Sequence, residues 1–345
     1  MTSAADALFL GVDIGGSSVE TVVTDRAHHV AAHALEPTDT SSGEAVVASA
    51  RASIRGALVR AAGAAEVVAG IGIGVPGQVD ADRGVVRFAM NLNIGEAGLA
   101  LGAAVEEAFG LDVAVENDVR AAAVGAYELF RPQVPDLHTL VYLSIGTGIS
   151  AGVVVDGGLR RGRRGLAGEI GHVVVDEDGP PCRCGLRGCL EAVAAGPAVA
   201  QRWPAEDGRN AERLFAAAAE GRPDAIRAGA EFTTRWVEAI QWLALAHGAD
   251  LVVLGGGVGS VGGTLLDAIR LRLAEFAERS ELARRLLPPE RVVSVPAGHP
   301  TGAIGAAAVA RDRLAAPKGG PGVAEASGTS GEEDRTFIAS GEGTA

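Results

Sequence analysis

Alternating apolar and polar positions mark two stretches of this chain as strand pairs closed by glycines. Residues 7–13, ALFLGVD, form an apolar run ending at Asp13. Gly15-Gly16-Ser17-Ser18 then makes a tight turn, and Val19 to Thr24 returns with alternating character. His138 to Ile145, the tip Gly146-Thr147-Gly148 and Ile149 to Val155 repeat the pattern. FLGVDIGGSSVETVVTD and LVYLSIGTGISAGVVVD superpose at a constant offset of 131 residues, so that Asp13 falls on Ser144 and Gly15 on Gly146. An internal duplication of this kind implies two similar lobes facing each other over a cleft.

Between and beyond the hairpins the apolar period changes to that of helices. The pattern predicts a third strand over His28 to Leu35, a helix over Gly43 to Ala62, a buried strand over Val67 to Val75 and a short hairpin over Gln78 to Phe88. A helix over Leu99 to Phe109 closes at Gly110 in a left-handed cap. Asp112 to Val115 is a strand with Glu116-Asn117-Asp118 at its C-terminal end, and a helix follows over Val119 to Phe130. Ala192 to Ala246 reads as mostly helical, Asp250 to Leu254 as a strand ending in Gly255-Gly256-Gly257, and Thr264 to Leu287 as one long helix. Arg291 to Val295 is a strand and Thr301 to Leu314 a last helix. The remainder, 316–345, is rich in Gly, Ser and Glu, cannot bury a core and is expected to be disordered.

Composition narrows what these elements serve. A chain of 345 residues accommodates two domains. A net charge of −13 argues against nucleic acid or an anionic membrane as the main partner. No apolar run is long enough to span a bilayer, and MTSAADALFLGVD lacks the basic start and apolar core of a secretion signal. The expected location is the cytoplasm.

The three cysteines bring in chemistry. Cys182, Cys184 and Cys189 all lie within eight positions, in a Gly-rich knuckle just downstream of His172. An odd number so closely spaced is a poor disulfide framework and a good metal knuckle in a reducing compartment. Three thiolates and one imidazole complete a tetrahedral set for zinc, and a closed set of four marks a structural site. One ring nitrogen of His172 would hold the metal, leaving the other for a ligand.

Three motifs then give the chain a family likeness. They are Asp13-Ile14-Gly15-Gly16; the glycine-spaced run Gly158, Gly162, Gly165, Gly168 ending in Glu169 and His172; and CxCGxxGCxE from Cys182 to Glu191. Over about residues 8–314 the chain resembles ROK proteins, the sugar kinases and related repressors of the actin-like ATPase superfamily. The resemblance implies an α/β fold of two actin-like (ribonuclease H-like) lobes with a duplicated hairpin core and a central cleft. It divides the chain into a first lobe, 1–117, and a second, 118–300, with the zinc knuckle at 172–189. A helix over 301–315 would pack back on the first lobe.

For chemistry, the resemblance implies ATP-dependent phosphorylation of a hexose at its 6-hydroxyl, glucose first. Asp118 would be the general base. Sugar hydroxyls would meet Asn91, Asn117, Asp118, Glu169, His172 and Glu191. The nucleotide would lie on Gly15, Gly16, Ser17, Gly146, Thr147, Gly148, Gly255, Gly256 and Gly257. Asp13 would hold Mg²⁺ through water, and the zinc would be structural. Sugar and ATP would be the partners, in a homo-oligomer of two or four chains.

Two departures from the family pattern stand out. Ser17 occupies a position where the family has Thr, which keeps the hydroxyl. After Asn91 the loop NIGEAG lacks the Trp common in glucokinases, which leaves the sugar open among glucose, N-acetylglucosamine, N-acetylmannosamine and fructose. A sugar-sensing regulator is the alternative to an enzyme. The family's repressors carry an N-terminal winged helix-turn-helix, and about seven residues before the first strand are too few for one. Arg160 to Arg164 reads as a solvated loop, and Trp203, Trp236 and Trp242 as core or interface.

Overall fold

Both glycine-tipped hairpins form, and each becomes the antiparallel half of a five-stranded sheet. The computed structural model describes residues 7–61, 67–259 and 261–315; the tail expected to be disordered, 316–345, lies outside them. The first half of the chain runs β1 (Leu8–Ile14), β2 (Ser18–Thr24), β3 (Val30–Pro37), α1 (Gly43–Arg60), β4 (Val68–Val75), β5 (Gln78–Asp80), β6 (Val85–Arg87), α2 (Leu101–Phe109), β7 (Val113–Asn117) and α3 (Asp118–Phe130). The second half runs β8 (Thr139–Ile145), β9 (Ile149–Val155), β10 (Gly158–Leu159), α4 (Leu190–Ala194), α5 (Gly196–Arg202), α6 (Asn210–Ala219) and α7 (Pro223–His247). It ends with β11 (Leu251–Gly255), α8 (Gly256–Gly259), α9 (Gly263–Arg279), α10 (Glu281–Leu286), β12 (Val292–Ser294) and α11 (Thr301–Ala315).

The two sheets share one plan. Their strand orders are β3-β2-β1-β4-β7 and β10-β9-β8-β11-β12. In the first, Asp13 stands opposite Glu20 on antiparallel β2 and beside Gly74 on parallel β4. In the second, Ser144 stands opposite Ser150 on β9 and beside Gly255 on β11. The repeat visible in the hairpins therefore extends into the parallel strand next to each. The inner strands are buried on both faces, as parallel strands covered by helices must be.

Local chemistry sets the ends of the helices. The Ser42 hydroxyl accepts from the Ala45 N–H and starts α1. Gly110, left-handed at φ 67°, ends α2. The long helix expected over Thr264 to Leu287 is broken: Ser280 is extended at φ −146° and caps α10 through its side chain. A Ser hydroxyl that can satisfy an N-terminal N–H competes with helix continuation, and here it wins. The mostly helical stretch from Ala192 resolves into α4 to α7. Trp236 of α7 is fully buried and donates its indole N–H to the Ala194 carbonyl at 2.9 Å. Trp203 is partly buried under the Arg222 guanidinium, and Trp242 is exposed.

Three large apolar cores form among the described residues. One lies between the first sheet and α1 and α2, and one between the second sheet and α7 and α9. The third lies between the sheets, where α3 and α11 meet Phe9, Leu140 and Tyr142. α11 sits directly on bare backbone. A Cβ on Gly11 of β1 would lie 1.8 Å from the Ala303 carbonyl oxygen, and one on Gly72 of β4 would lie 1.7 Å from that of Ala306. No residue but glycine fits either position, and this close approach fixes where the N-terminus of α11 falls. Among the described residues no helix is long and apolar enough to cross a membrane.

Candidate functional site

The two glycine turns differ in how they are held. In the first, the Gly15 N–H donates to the Ser18 carbonyl at 2.9 Å, and the Thr38 hydroxyl donates to the Gly15 carbonyl at 2.8 Å. Gly16 and Ser17 are left exposed. Asn91 comes alongside: its Nδ2 lies 3.5 Å from where a Gly16 Cβ would stand. In the second turn, Gly146 N–H donates to Gly148 O at 2.9 Å, and Gly196 N–H to Gly146 O at 2.7 Å, while Thr147 is exposed. Successive turn N–H groups of this kind suit an anion.

The third glycine segment divides in two. Gly255 is buried in β11 against the Tyr142 hydroxyl, whereas Gly257 is exposed, with its N–H beside Gly146. Gly256, at φ 75°, turns the chain past the Ser144 hydroxyl.

Two carboxylates meet at the floor. Asp13 ends β1 and Asp118 opens α3. Gly74 lies between them: the place where its Cβ would stand is 3.6 Å from both the Asp13 Oδ1 and the Asp118 Cα. Gly302, at the start of α11, is what gives the Asp13 carboxylate room, since a Cβ there would lie 2.2 Å from the Asp13 Oδ2. The consequence is electrostatic. Burial, then the Asp118 and Glu20 charges, push the Asp13 carboxyl up from 3.8 to about 8. Asp118 is also raised, first by burial, with the Glu169 charge adding and its hydrogen bonds with backbone N–H groups opposing. The Tyr142 phenol is raised by burial and by Asp13. A carboxyl raised in this way holds its proton at neutral pH unless a cation comes beside it. Mg²⁺, which keeps several waters and takes one or two protein carboxylates, is a cation that Asp13 could hold.

Asn117, not Asp118, caps α3. Its Oδ1 accepts from the Val119 and Arg120 N–H groups, and its Nδ2 donates to Gly77 O and to the Asp118 Oδ1 at 2.9 Å. The Asp118 carboxylate is thus oriented by its neighbour. Behind it lies a network that the sequence conceals. Glu116 is wholly buried; it accepts from the Asn117 N–H at 2.9 Å, from Arg120 Nε at 2.8 Å and from Arg161 Nε at 2.5 Å. Arg161 stands in the run expected to be solvated and keeps its side chain 42% exposed, yet its Nε reaches in to the buried Glu116 that the buried Arg120 holds from the other side.

The segment with Glu169 and His172 is docked on β9. Gly168 O accepts from the Ala151 N–H at 2.8 Å, and a Gly168 Cβ would strike the Ala151 carbonyl. Glu169 is exposed and His172 half-buried. His172 Nδ1 lies 3.6 Å from the Cys182 Sγ, Cys184 Sγ lies 3.6 Å from Cys189 Sγ, and all four ligand atoms lie within 4.8 Å of one another. With Zn–S about 2.3 Å and Zn–N about 2.0–2.1 Å, the edges of a tetrahedron are close to these separations. Burial and the neighbouring thiols push the Cys189 thiol up to about 12. Three thiolates cannot share this space without a cation, so the donor set fits zinc on chemistry as well as shape. With Nδ1 toward the sulfurs, Nε2 is the nitrogen left for a ligand.

Glu191, two residues beyond Cys189, reaches the other glycine turn. Its Oε2 accepts from the Ile149 N–H at 3.1 Å and fills the space that a Gly148 side chain would need. The knuckle and the second turn are therefore one mechanical unit. Nothing in the motif spacing announced this bond.

The model of the ROK family matches residues 9–313. The glucokinase of Streptomyces coelicolor is 32% identical over 325 residues, covering 88% of this chain and 98% of that protein. The crystal structure of a ROK family glucokinase from Streptomyces griseus in complex with glucose and AMPPNP is 31% identical, with a TM-score of 0.71 over 89% of this chain and all of that one (100%). A ROK family transcriptional regulator, a homologue of the E. coli MLC protein, is 27% identical with a TM-score of 0.71, over 90% of this chain and 79% of that one.

Proposed function

This chain belongs to the ROK family, and on that premise we propose that it is an ATP-dependent kinase that phosphorylates the 6-hydroxyl of a hexose, glucose first. The observation that carries the reading is the meeting of Asp13 and Asp118 across Gly74, between two glycine turns. A sugar sensor needs neither a paired-carboxylate floor nor an oriented base. The relatives support the substrates: one is a glucokinase seen with glucose and an ATP analogue.

In the proposed reaction the exposed N–H groups of Gly16, Ser17, Thr147 and Gly257 hold the nucleotide phosphates. Asn91, Glu169, His172 Nε2 and Glu191 hold sugar hydroxyls, while Asn117, its own side chain fully bonded, orients Asp118 among them. Asp118 removes the proton of the 6-hydroxyl as its oxygen bonds to the γ-phosphorus. The bond from that phosphorus to the bridging oxygen breaks, and ADP leaves with the electron pair. Phosphoryl transfer of this kind depends on position and charge more than on covalent help. Mg²⁺ near Asp13, when bound, neutralises phosphate charge. The test is coupled ADP release over a panel of glucose, mannose, fructose, N-acetylglucosamine and N-acetylmannosamine, repeated with polyphosphate in place of ATP. Glucose should give the highest kcat/KM. Turnover with none of them would remove the kinase reading.

Asp13 gives a second test, with opposite signs for stability and activity. Its folded value of about 8 lies above its ordinary 3.8. Between these values the folded protein holds a proton that the unfolded chain lacks, so stability falls as pH rises through that window. In nucleotide- and Mg²⁺-free, zinc-loaded protein, Asp13→Asn should melt higher than wild type above about pH 8 by an amount of order 1 kcal/mol, with the gap closing toward pH 4. The same variant should lose most turnover. A variant less stable than wild type at high pH would show that the carboxylate is already well compensated.

A further inference from the structure

A second cavity, of about 330 Å³, opens between the β5–β6 hairpin and the loop 161–165, behind the strand end that carries Asn117 and Asp118. None of the residues placed in the sugar or nucleotide site lines it. Five arginines do: Arg87, Arg120, Arg161, Arg163 and Arg164. Arg120 and Arg161 are spent on Glu116, and Arg120 also donates through Nη1 to the Gly165 carbonyl at 2.5 Å. Glu116, with its side chain 1% exposed, has both oxygens occupied and cannot neutralise anything further.

That leaves Arg87, Arg163 and Arg164, whose guanidinium groups have no hydrogen bond, ion pair or ring contact among the described residues. Of the other carboxylates on the wall, Asp80 is taken by Arg83, through its backbone N–H at 3.2 Å and its side chain at 3.6 Å. Asp82 alone is an unpaired acid there.

Three uncompensated guanidiniums round one concavity are anomalous in a chain of net charge −13. The loop that carries two of them is not a loose tail. It folds back through Gly162 and Gly165, both at positive φ, with the Gly165 N–H donating to Gly162 O and the Ala167 N–H to Arg161 O, each at 3.2 Å. Gly165 also packs against Val79 of β5, since a Cβ there would lie 3.3 Å from the Val79 carbonyl oxygen.

We propose that this cavity is a binding site for a phosphate monoester, separate from the catalytic cleft. Guanidinium forks match phosphate oxygens in pairs, and the volume is enough for a phosphate with a small organic group. A dianion answers the local excess better than a single carboxylate does. The inference does not depend on which sugar the enzyme phosphorylates. Glu116 links the two sites physically, because the residue that lines the cavity is bonded to the backbone N–H of Asn117.

Calorimetric titration of the zinc-loaded full chain with inorganic phosphate, and separately with a hexose 6-phosphate, tests the site at constant ionic strength set with chloride. The triple variant Arg87→Ala, Arg163→Ala, Arg164→Ala should melt within about 1 °C of wild type, because these side chains hold nothing in the fold. It should bind both probes at least about tenfold more weakly than wild type does. Loss of inorganic phosphate by the same factor as the ester identifies the phosphate group as the recognised part; a larger loss for the ester adds the organic group. Should the triple variant fail to fold, Arg163→Ala, Arg164→Ala alone should show the same direction. Equal affinity of wild type and variant for both probes, or no binding to wild type at millimolar concentration, overturns the proposal.

Discussion

Asp118→Asn is expected to fold, to bind sugar within a few-fold of wild type, and to lose turnover by about 10²–10⁴-fold. The fold should survive because the carboxylate does not cap α3. Asn117 already accepts from the Val119 and Arg120 N–H groups, and an amide oxygen at 118 can still accept from Asn117 Nδ2 at the place where Oδ1 now lies. Sugar binding should survive because an amide still offers a hydrogen-bond acceptor. What disappears is the proton acceptor, worth about 3–5 kcal/mol of transition-state stabilisation. The pH profile carries the same information. Burial and Glu169 raise the Asp118 carboxyl above its ordinary 3.8. The base works only when ionised, so kcat/KM in wild type should fall on the acid side through that raised value. The residual activity of the variant should lose this limb. Stopped-flow or coupled assays give the turnover, and equilibrium titration gives sugar affinity. Turnover within tenfold of wild type would remove Asp118 from the base role.

How much of this was legible in the chain depended on range. The hairpins were, because alternation is local and the internal repeat doubles the signal. The motif residues were legible as chemistry, because three cysteines and a histidine at that spacing admit few uses. The contacts that make the motifs into a site were not. Asp13 and Asp118 come together beside Gly74, with Gly302 leaving room for the Asp13 carboxylate, and no local pattern ties residues 13, 74, 118 and 302 together. Arg161 looked like part of a solvated run; its partner Glu116 is 45 residues away and looked like the end of a strand. The break at Ser280 leaves no mark on the apolar periodicity, which continues across it, because the decisive interaction is one hydroxyl. Helix α11 is buried round most of its surface, so its sequence carries no amphipathic stripe to say which elements it meets. Apart from Ser280, where the deciding bond is local, the missing information was a tertiary partner.

Removing zinc is expected to have the largest effect on stability, and to reach sugar binding through it. The purified chain should hold about one zinc, and stripping it with a strong chelator should lower the melting temperature by at least about 5 °C. The knuckle has little else to hold it. Its backbone ties are the isolated bridges Val174–Cys189 and Pro181–Arg187 and a few turn bonds, and Leu186 at its tip is exposed. Without the metal, the buried Cys189 thiol keeps its proton, and the sulfurs lose the cation that binds them together. α4 starts at once from Cys189, so its Glu191 loses its fixed position against the Ile149 N–H. His172 loses the bond that sets its ring, and Nε2 no longer points at a fixed place. Sugar affinity should therefore fall together with stability, and restoring zinc should restore both. The variants rank by burial. Cys189→Ser, at the wholly buried ligand, should cost more than Cys184→Ser at the exposed one. Metal analysis, melting curves and sugar titration on the same samples provide the check. A chain purified without metal, as stable as the zinc-loaded form and binding sugar equally well, would show that the four ligands hold their geometry unaided.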